Sequence, residues 1–399
     1  MRFENLALNA ALKGVDVVAT GDFTQPEWAK EIEDKLEYSE DSGLFKLRDG
    51  LVAEKDEEKA AKTRFVLGTE VNCSFDSPIE GEKRKKQIHH VILVRSPEIA
   101  SQLTEELGRF GKLERLGRPT LHMSAAELVE LVKAIDPDNL IFAAHVWTPH
   151  FSLFGANSGF DNPKDCYGTQ VDKLDALETG LSSDPLMNWR VSSLDDFTLV
   201  SNSDAHSSAP WRLGREANQF ELPQLTYDEL VDAIRHPSSG KFKQTIEFPP
   251  PLGKYHWTGH RKCGVSLAPS EAMQIANRCP TCGKKLTIGV EQRVEELADR
   301  DTPIQPPGAP GFLYLVPLHD LLSLVLNVKT LSSKTINRVF AKLIRHFGSE
   351  YAVMLQARYE ALKEVTNKQI AKAIYAMRSG KYRIVPGSDN QYGQLFFAS

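Results

Sequence analysis

The first part of the chain alternates between helix-type and strand-type patterns of apolar and polar residues. An amphipathic helix is predicted from residue 4 to Lys13-Gly14, and the apolar run at 15–20 predicts a short buried strand after it. The same patterns predict helices at 97–108 and 124–135 and strands at 64–70, 90–94, 140–145, 174–179 and 197–202. Helices alternating with buried strands are typical of an α/β fold with a largely parallel sheet.

This alternation fades after about residue 215, and two proline-rich stretches divide what remains. Residues 248–253 (FPPPLG) resemble a stiff linker, and 302–311 form a second break. Beyond it, apolar residues at helical spacing after the Ser332-Ser333 cap, and again before Gly380, predict helices. We therefore expect three units at 1–247, 248–300 and 301–399, the last mainly helical.

Composition and charge narrow the class of protein. With 399 residues, 41% of them hydrophobic, the chain is long enough to fold around sizeable cores. It has no uninterrupted apolar run of membrane-spanning length and no signal-peptide pattern, so we expect a cytoplasmic protein without a membrane partner. The net charge is −5, yet residues 301–399 carry 12 basic and 6 acidic side chains. A basic unit on an acidic body fits a polyanionic partner, although a solvated surface explains it equally well.

Chemistry-bearing side chains follow the predicted strands. In parallel α/β folds the strand ends meet, and here they carry six such residues: Asp22, Glu70, His145, Glu178, Asp204 and His206. Imidazoles and carboxylates bind Zn, Mn or Fe, and two bridged cations activate water and hold a phosphate. The adjacent His89 and His90 point to opposite faces of a strand, so one of them is expected in the site, and His90 is preferred.

A second candidate metal site lies in the middle unit. His260-x2-Cys263 and Cys279-x2-Cys282 have the spacing of a structural zinc site, with His256 as the rival for the histidine position. Basic residues surround it and predict either phosphate contacts or a solvated surface: Arg261, Lys262, Arg278, Lys284 and Lys285. No Gly-x4-Gly-Lys-Ser/Thr sequence is present, which excludes an ATP-driven motor of the P-loop class.

The ordered set of motifs resembles the PHP phosphoesterase domain, and specifically its endonuclease Q branch. The motifs are Gly21-Asp22, Gly68-x-Glu70, Ala144-His145-x-x-Thr-Pro, Glu178 to Asp184, Ser203-Asp204-Ala-His206 and Leu213 to Asn218. The resemblance extends over the zinc unit and the helical tail. It implies a distorted β/α barrel holding divalent metal ions (Zn, Mn or Mg), followed by a small zinc-binding module and a mainly helical C-terminal domain.

The resemblance also implies roles for individual residues. Glu70 would bridge two metals, His90 and His145 would complete one of them, and Asp204 would serve another, while Asp22 and His206 would hold a third. Catalysis would fall to Asp204, Glu70 and His206. The implied activity is metal-dependent DNA repair: nicking damaged double- or single-stranded DNA on the 5′ side of hypoxanthine, uracil or xanthine, or of an abasic site.

One departure from the family pattern leaves the function open. The family begins with a strand bearing Asp-x-His-x-His, and no His-x-His occurs in this sequence. We therefore expect a barrel that lacks its first strand and has an unpaired seam. Two alternatives remain: a PHP-type phosphatase acting on a small phosphate ester, and a truncated protein that binds damaged DNA without cutting it.

Overall fold

A nine-stranded mixed sheet forms the first half of the protein. The computed structural model describes residues 2–114 and 117–397. The sheet runs in the order β2-β3-β4-β5-β7-β8-β9, and β1 and β6 also pair with β4. Its strands are β1 (Val17–Ala19), β2 (Leu36–Ser39), β3 (Leu44–Leu47), β4 (Arg64–Asp76), β5 (Lys85–Val94), β6 (Thr120–Leu121), β7 (Leu140–Ala143), β8 (Ala176–Glu178) and β9 (Thr198–Val200).

The ladder between β4 and β5 is the longest in the sheet. The two strands pair antiparallel from Leu67 opposite Val94 to Asp76 opposite Lys85. Beyond β5, which is also antiparallel to β7, the strands β7, β8 and β9 are parallel to one another. All six strands predicted from the apolar runs are present, but β4 and β5 are longer than predicted and β1, β7, β8 and β9 are shorter.

Helices pack against this sheet and bury one face each. Ser96 caps α4 with Pro97 in its first turn, and Ser124 and Glu127 form a reciprocal capping box at the start of α5. The predicted helices at 97–108 and 124–135 are thereby confirmed. The helices of this half are α1 (Phe3–Lys13), α2 (Pro26–Lys35), α3 (Glu54–Ala60), α4 (Pro97–Gly108), α5 (Ala125–Ile135), α6 (Pro163–Tyr167), α7 (Pro185–Asn188) and α8 (Tyr227–Arg235).

The sheet curls into a half-barrel with one open seam. Within the described part of the chain, β1 pairs only with β4 and β9 pairs only with β8. Residues of both strands border an open cavity of about 950 Å³. The expectation of a distorted barrel with an unpaired seam is confirmed.

The middle of the chain adds a smaller sheet, a hairpin and two short helices. Around the cysteines the buried apolar cluster consists of Ala272, Cys279 and Leu286, too small a core to stabilise a unit of this size by itself. The elements are β10 (Ala217–Phe220), β11 (Phe242–Glu247), β12 (Thr258–His260), β13 (Val265–Leu267), α9 (Pro269–Gln274), α10 (Val290–Leu297) and β14 (Gly311–Tyr314).

The C-terminal region is mainly helical, as predicted, and ends in a hairpin. Ser333 caps the longest helix by accepting a hydrogen bond from the backbone of Ile336. The elements are α11 (Leu318–Leu326), α12 (Lys334–Phe347), α13 (Tyr359–Val365), α14 (Lys368–Arg378), β15 (Tyr382–Val385) and β16 (Gln394–Phe397). Among the described residues, none of the helices has the length and apolar character needed to cross a bilayer.

The predicted units are in contact with one another. β14, which the sequence-based division places in the last unit, pairs in parallel with β11 of the first. Pro250 and Leu252 of the expected linker are buried in a short 3₁₀ turn, and Leu252 packs into the core of the helical region. The boundaries at residues 247 and 300 stay a prediction.

A buried ion pair connects the first helix to the C-terminal helices. The Lys13 Nζ lies 2.6 Å from Glu350 Oε1, and the two side chains are 1% and 0% exposed. The same oxygen accepts a hydrogen bond of 2.8 Å from the backbone of Leu318, at the start of α11. Because a buried charge is costly without its partner, this pair fixes how the two regions meet.

Replacing Lys13 with Met is expected to lower the free energy of unfolding by about 3–5 kcal/mol, since the Glu350 carboxylate would stay buried without its cation. Lys35→Met is the matched control, because Lys35 pairs with Glu4 at a partly exposed surface, where such a pair contributes under about 1 kcal/mol. Urea unfolding followed by circular dichroism measures both. A loss for Lys13→Met no larger than that of the control would contradict the role of the ion pair.

Candidate metal centre

Three strand ends share an unusual backbone conformation. Asp22, His145 and Asp204 follow β1, β7 and β9, and their φ angles are 48°, 32° and 43°. Positive φ is uncommon for residues with a Cβ, although Asp and His tolerate it better than most, and it recurs at functional sites. All three residues border the open cavity. The turns therefore gather these side chains at one end of the half-barrel.

Glu70, His89 and His145 form a compact cluster beside this cavity. Glu70 Oε1 lies 3.0 Å from His89 Nδ1 and 3.3 Å from His145 Nε2, and the two ring nitrogens are 3.2 Å apart. Bonds of about 2.0–2.2 Å to a divalent ion place neighbouring nitrogen and oxygen ligands roughly 3–3.5 Å apart. The three side chains therefore have the chemistry and the spacing of ligands around one metal ion.

The structure places His89, and not the preferred His90, beside Glu70. The β4–β5 ladder places Glu70 opposite Val91, so His89, two residues before Val91, shares the face of Glu70. His90 is on the other face, 0% exposed, with its Nε2 2.8 Å from the Tyr167 hydroxyl. Burial lowers the pKa of His90 to about 3, so its ring is neutral. His90 thus lies outside the cluster because its strand position faces the core, and its role as a metal ligand stays a prediction.

A signal for this distinction was present in the sequence. Ile88, Ile92 and Val94 alternate with His90 along the strand, so His90 belongs to an apolar row. His89 belongs instead to the row of Gln87, Val91 and Leu93, which is less buried. The period of two therefore pointed to His89 as the residue facing away from the core.

Glu70 is an anion in this setting. Burial by itself raises the pKa of a carboxyl, but hydrogen bonds with His145 and His89 and the charge of Arg118 hold the pKa of Glu70 well below its usual range. An ionised carboxylate is the form that binds a metal. The electrostatics of the cluster thus agree with its geometry.

Neighbouring groups orient both histidines. The Nδ1 of His145 lies 3.0 Å from the Thr148 hydroxyl, within the Ala144-His145-x-x-Thr-Pro motif. The ring of His89 stacks on Phe151 with 5.2 Å between ring centres, and the Phe151 carbonyl accepts a hydrogen bond from the His89 backbone. A partner on the second ring nitrogen or on the ring face fixes the orientation that a metal ligand needs.

Glu178 supports the cluster by accepting a hydrogen bond from the backbone of His145. It is buried, its Oε2 accepts a 2.7 Å hydrogen bond from the His145 backbone, and its Oε1 accepts one of 2.9 Å from the Asn202 amide. Burial raises the pKa of Glu178 to about 7. This residue, which the sequence analysis placed at a strand end and at the start of the Glu178-to-Asp184 motif, holds the turn that carries His145.

Arg118 is the charged residue at the site that sequence reasoning missed. Its Nε lies 2.5 Å from Glu70 Oε1, and its Nη2 donates a 2.8 Å hydrogen bond to Asp204 Oδ1. The residue stands in a Gly-Arg-Pro segment between two elements, where no periodic pattern marks it. The contact joins Glu70 of β4 to the turn after β9.

Asp22, Asp204 and His206 lie outside the compact cluster. They border the same cavity, but within residues 2–114 and 117–397 only Glu70, His89 and His145 bring ligand atoms close together there. His206 is 72% exposed, and its Nδ1 lies 2.9 Å from the Asp204 carbonyl. Burial and the charge of Glu70 raise the pKa of Asp22. The metal-binding roles of these three residues, and the catalytic roles of Asp204 and His206, stay predictions.

The cysteine-rich segment also converges on a point. One ligand atom from each of His260, Cys263, Cys279 and Cys282 lies within 4.8 Å of the others, and Cys282 Sγ is 3.4 Å from His260 Nδ1. Zinc bonds of about 2.3 Å to sulfur and 2.0–2.1 Å to nitrogen put tetrahedral ligands roughly 3.5 Å apart. The four cysteine and histidine residues predicted from spacing are thus close enough to hold one metal ion. The rival His256 is turned to Glu291, with 3.2 Å between its Nε2 and Oε2.

The basic side chains around this segment face solvent. The five are Arg261, Lys262, Arg278, Lys284 and Lys285, all exposed. None of the ion pairs found among the described residues involves any of them. They are therefore available to an anionic partner.

Comparisons with known proteins agree with this architecture. Residues 317–381 match the family model of the MJ0043 C-terminal domain. The uncharacterized protein MJ0043 of Methanocaldococcus jannaschii is 34% identical over 256 residues, which are 63% of this chain and 31% of that protein, so the chain spans about a third of it. The uncharacterized protein YqxK of Bacillus subtilis is 28% identical over 391 residues, covering 96% of this chain and 89% of YqxK.

Two solved structures match the whole fold. The lesion-specific endonuclease PfuEndoQ from Pyrococcus furiosus has a TM-score of 0.85 and 33% identity, covering 100% of this chain and 91% of that one. Endonuclease Q in complex with a 27-mer duplex substrate, with an abasic lesion at the active site, has a TM-score of 0.83 and 31% identity, covering 100% and 92%. Fold and site define an α/β half-barrel with a histidine–carboxylate cluster at its strand ends. The chain belongs to the endonuclease Q family.

His89→Ala is expected to weaken Mn²⁺ binding by at least about tenfold, because it removes a ligand, whereas His90→Ala leaves Mn²⁺ affinity unchanged and lowers stability by about 1–3 kcal/mol. Calorimetric titration with Mn²⁺ and urea unfolding measure the two effects, with exposed His122→Ala as control. Loss of Mn²⁺ binding in folded His90→Ala, with binding kept in His89→Ala, would restore the assignment of His90.

Proposed function

We propose that this protein is a metal-dependent DNA repair endonuclease. It nicks the phosphodiester on the 5′ side of a deaminated base (hypoxanthine, uracil or xanthine) or of an abasic site. The observation that carries the proposal is the match of the entire chain to a lesion-specific endonuclease at a TM-score of 0.85 and 33% identity. The cluster of Glu70, His89 and His145 supports it with residues suited to metal-assisted hydrolysis.

The residues divide into two ligand sets. Glu70, His89 and His145 hold one divalent ion, and Asp22, Asp204 and His206 hold further ions at the same cavity. A divalent ion supplies Lewis-acid stabilisation of charge on the phosphoryl group and lowers the pKa of water. Hydrolysis adds water to phosphorus and breaks its bond to the 3′-oxygen, leaving a 3′-hydroxyl and a 5′-phosphate. Glu178 and Thr148 keep His145 in place during this step.

The zinc unit and the helical region bind the DNA in this proposal. The five exposed basic residues around the cysteines have no acidic partner among the described residues, which suits contacts to backbone phosphates. A damaged base pairs weakly and costs less to extrude from the stack, which gives the enzyme a basis for selecting lesions. Damaged DNA, double- or single-stranded, is therefore the proposed partner.

The zinc site is structural in this proposal. Four protein ligands close a tetrahedral zinc ion and leave no position for water, unlike a catalytic site. Its neighbourhood has a core of only a few apolar side chains, so metal binding supplies the folding energy of the segment.

Removing this zinc is expected to weaken DNA binding without disturbing the metal centre of the half-barrel. Cys279→Ser should lose one zinc per chain and weaken duplex binding by about tenfold, because the basic side chains lose their scaffold. Zinc content measured by mass spectrometry and duplex affinity measured by fluorescence anisotropy report this, with Cys73→Ala, in the half-barrel, as control. Full duplex affinity in a zinc-free Cys279→Ser protein would refute this role.

The activity itself is tested on end-labelled duplexes carrying one deoxyinosine, one deoxyuridine or one abasic site, with an undamaged duplex as control. With Mg²⁺ or Mn²⁺, a single nick immediately 5′ to the lesion is expected. Glu70→Gln should reduce the rate by about a hundredfold or more, since the metal loses its anionic ligand.

The other outcomes identify the alternatives. Lesion-selective binding without a nick would establish a non-catalytic damaged-DNA-binding protein. Turnover of p-nitrophenyl phosphate without DNA affinity would establish a phosphatase for small esters. Either result overturns the endonuclease proposal.

A further inference from the structure

The guanidinium of Arg118 lies between two acidic residues of the metal centre. It reaches Glu70 Oε1 through Nε at 2.5 Å and Asp204 Oδ1 through Nη2 at 2.8 Å. The exposed fractions of the side chains are 25% for Arg118, 18% for Glu70 and 36% for Asp204, so the contact with Glu70 is the more buried of the two. In the structure, the positive charge of Arg118 neutralises part of the acidic cavity.

The backbone holds Arg118 in this place. The carbonyl of the next residue, Pro119, accepts a 2.9 Å hydrogen bond from the backbone of Asn72, and β6 then continues the pairing with β4. Asn72 is two residues beyond Glu70 on β4. Gly117, on the other side of Arg118, has a φ of 85°, a conformation that favours glycine. The main chain at Arg118 is thus anchored to the strand that carries Glu70.

Arg118 and a metal ion compete for the same oxygen. Glu70 Oε1 contacts Arg118 and also both cluster histidines, so it is the oxygen that a metal bound by His89 and His145 would take. A guanidinium and a divalent cation separated by only about 4 Å repel each other strongly. The side chain of Arg118 must therefore leave Glu70 when the metal binds.

The chemistry of arginine indicates where this side chain goes. A guanidinium presents a planar fork of N–H donors that fits two carboxylate oxygens, and it fits phosphate oxygens equally well. A phosphodiester placed on the metal would bring such oxygens into the cavity next to Asp204. Arg118 would then exchange one pair of anionic oxygens for another.

We propose that Arg118 is an exchangeable cation: it neutralises Glu70 and Asp204 in the metal-free protein and turns to the DNA phosphodiester once the metal has taken these carboxylates. The second half of this statement rests on the proposed endonuclease function, whereas the first half does not. Arg118 is thus both a competitor of the metal and a positioning residue for the substrate phosphate.

Mn²⁺ titration of the full chain without DNA tests the first half. Arg118→Met should bind Mn²⁺ about tenfold more tightly than the wild type, because the competing cation is gone, and Arg118→Lys should fall between them. Arg109→Met, which removes an exposed arginine paired on its own helix, is the control and should leave the affinity unchanged. An unchanged or weaker Mn²⁺ affinity in Arg118→Met would overturn the proposal. If Arg118 only supported the structure of the site, its removal would weaken Mn²⁺ binding and could not strengthen it.

Duplex affinity in the presence of Mn²⁺ tests the second half. With the nick prevented by a phosphorothioate at the scissile position, Arg118→Met should bind a lesion duplex about tenfold more weakly, and Arg118→Lys should recover part of that loss. Wild-type duplex affinity in Arg118→Met would overturn the phosphate contact. Absence of any Mn²⁺ binding by the wild type would overturn the metal centre together with this proposal, whereas absence of nicking alone would leave the Mn²⁺ comparison standing.

Discussion

The strand β4 is the element on which the rest of the half-barrel depends. It pairs with β1, β3, β5 and β6, and it carries Glu70 near its middle. Its ladder with β5 sets the register that brings His89 to the face of Glu70 and sends His90 into the core. Because side chains alternate with a period of two, a slip of one residue would exchange the two histidines and dismantle the cluster. The positions of Glu70 and His89 are therefore set by strand pairing, whereas His145 depends on the turn after β7.

Several carboxyl groups lie close together around this ladder, and their surroundings set the charge of each one. Glu70 is kept ionised by two histidines and an arginine, while the nearby Glu178 is buried and has a pKa raised to about 7. The two carboxylates in this neighbourhood thus differ in pKa, because burial outweighs the hydrogen bonds that Glu178 accepts, whereas histidine hydrogen bonds and the charge of Arg118 outweigh burial at Glu70. The ionised group faces the cavity, and the group beneath it holds the histidine turn.

Local signals predicted the elements, and contacts between distant residues decided the site. The apolar periods were sufficient for α4 and α5, whose caps at Ser96 and Ser124 the structure adds, and the period after the Ser332-Ser333 cap was sufficient for α12. The cysteine spacing was sufficient for the second cluster, because all four ligands lie in one short stretch. The choice of His89, in contrast, required the register of β4 and β5, for which the sequence offered only the apolar row around His90. The position of Arg118 depends on β6 joining β4, and nothing in its neighbours in the sequence announces that contact.

The ion pair between Lys13 and Glu350 has a consequence for how such proteins change over evolutionary time. Residues 317–381 match the model of a separate domain family, and Glu350 lies within this stretch. If recombination joined this domain to another protein, Glu350 would be a buried carboxylate without its lysine, and the interface between the two parts would be unstable. The two ends of the chain, 337 positions apart at this contact, are therefore expected to be inherited together and to accept substitutions at these two positions only as a matched set.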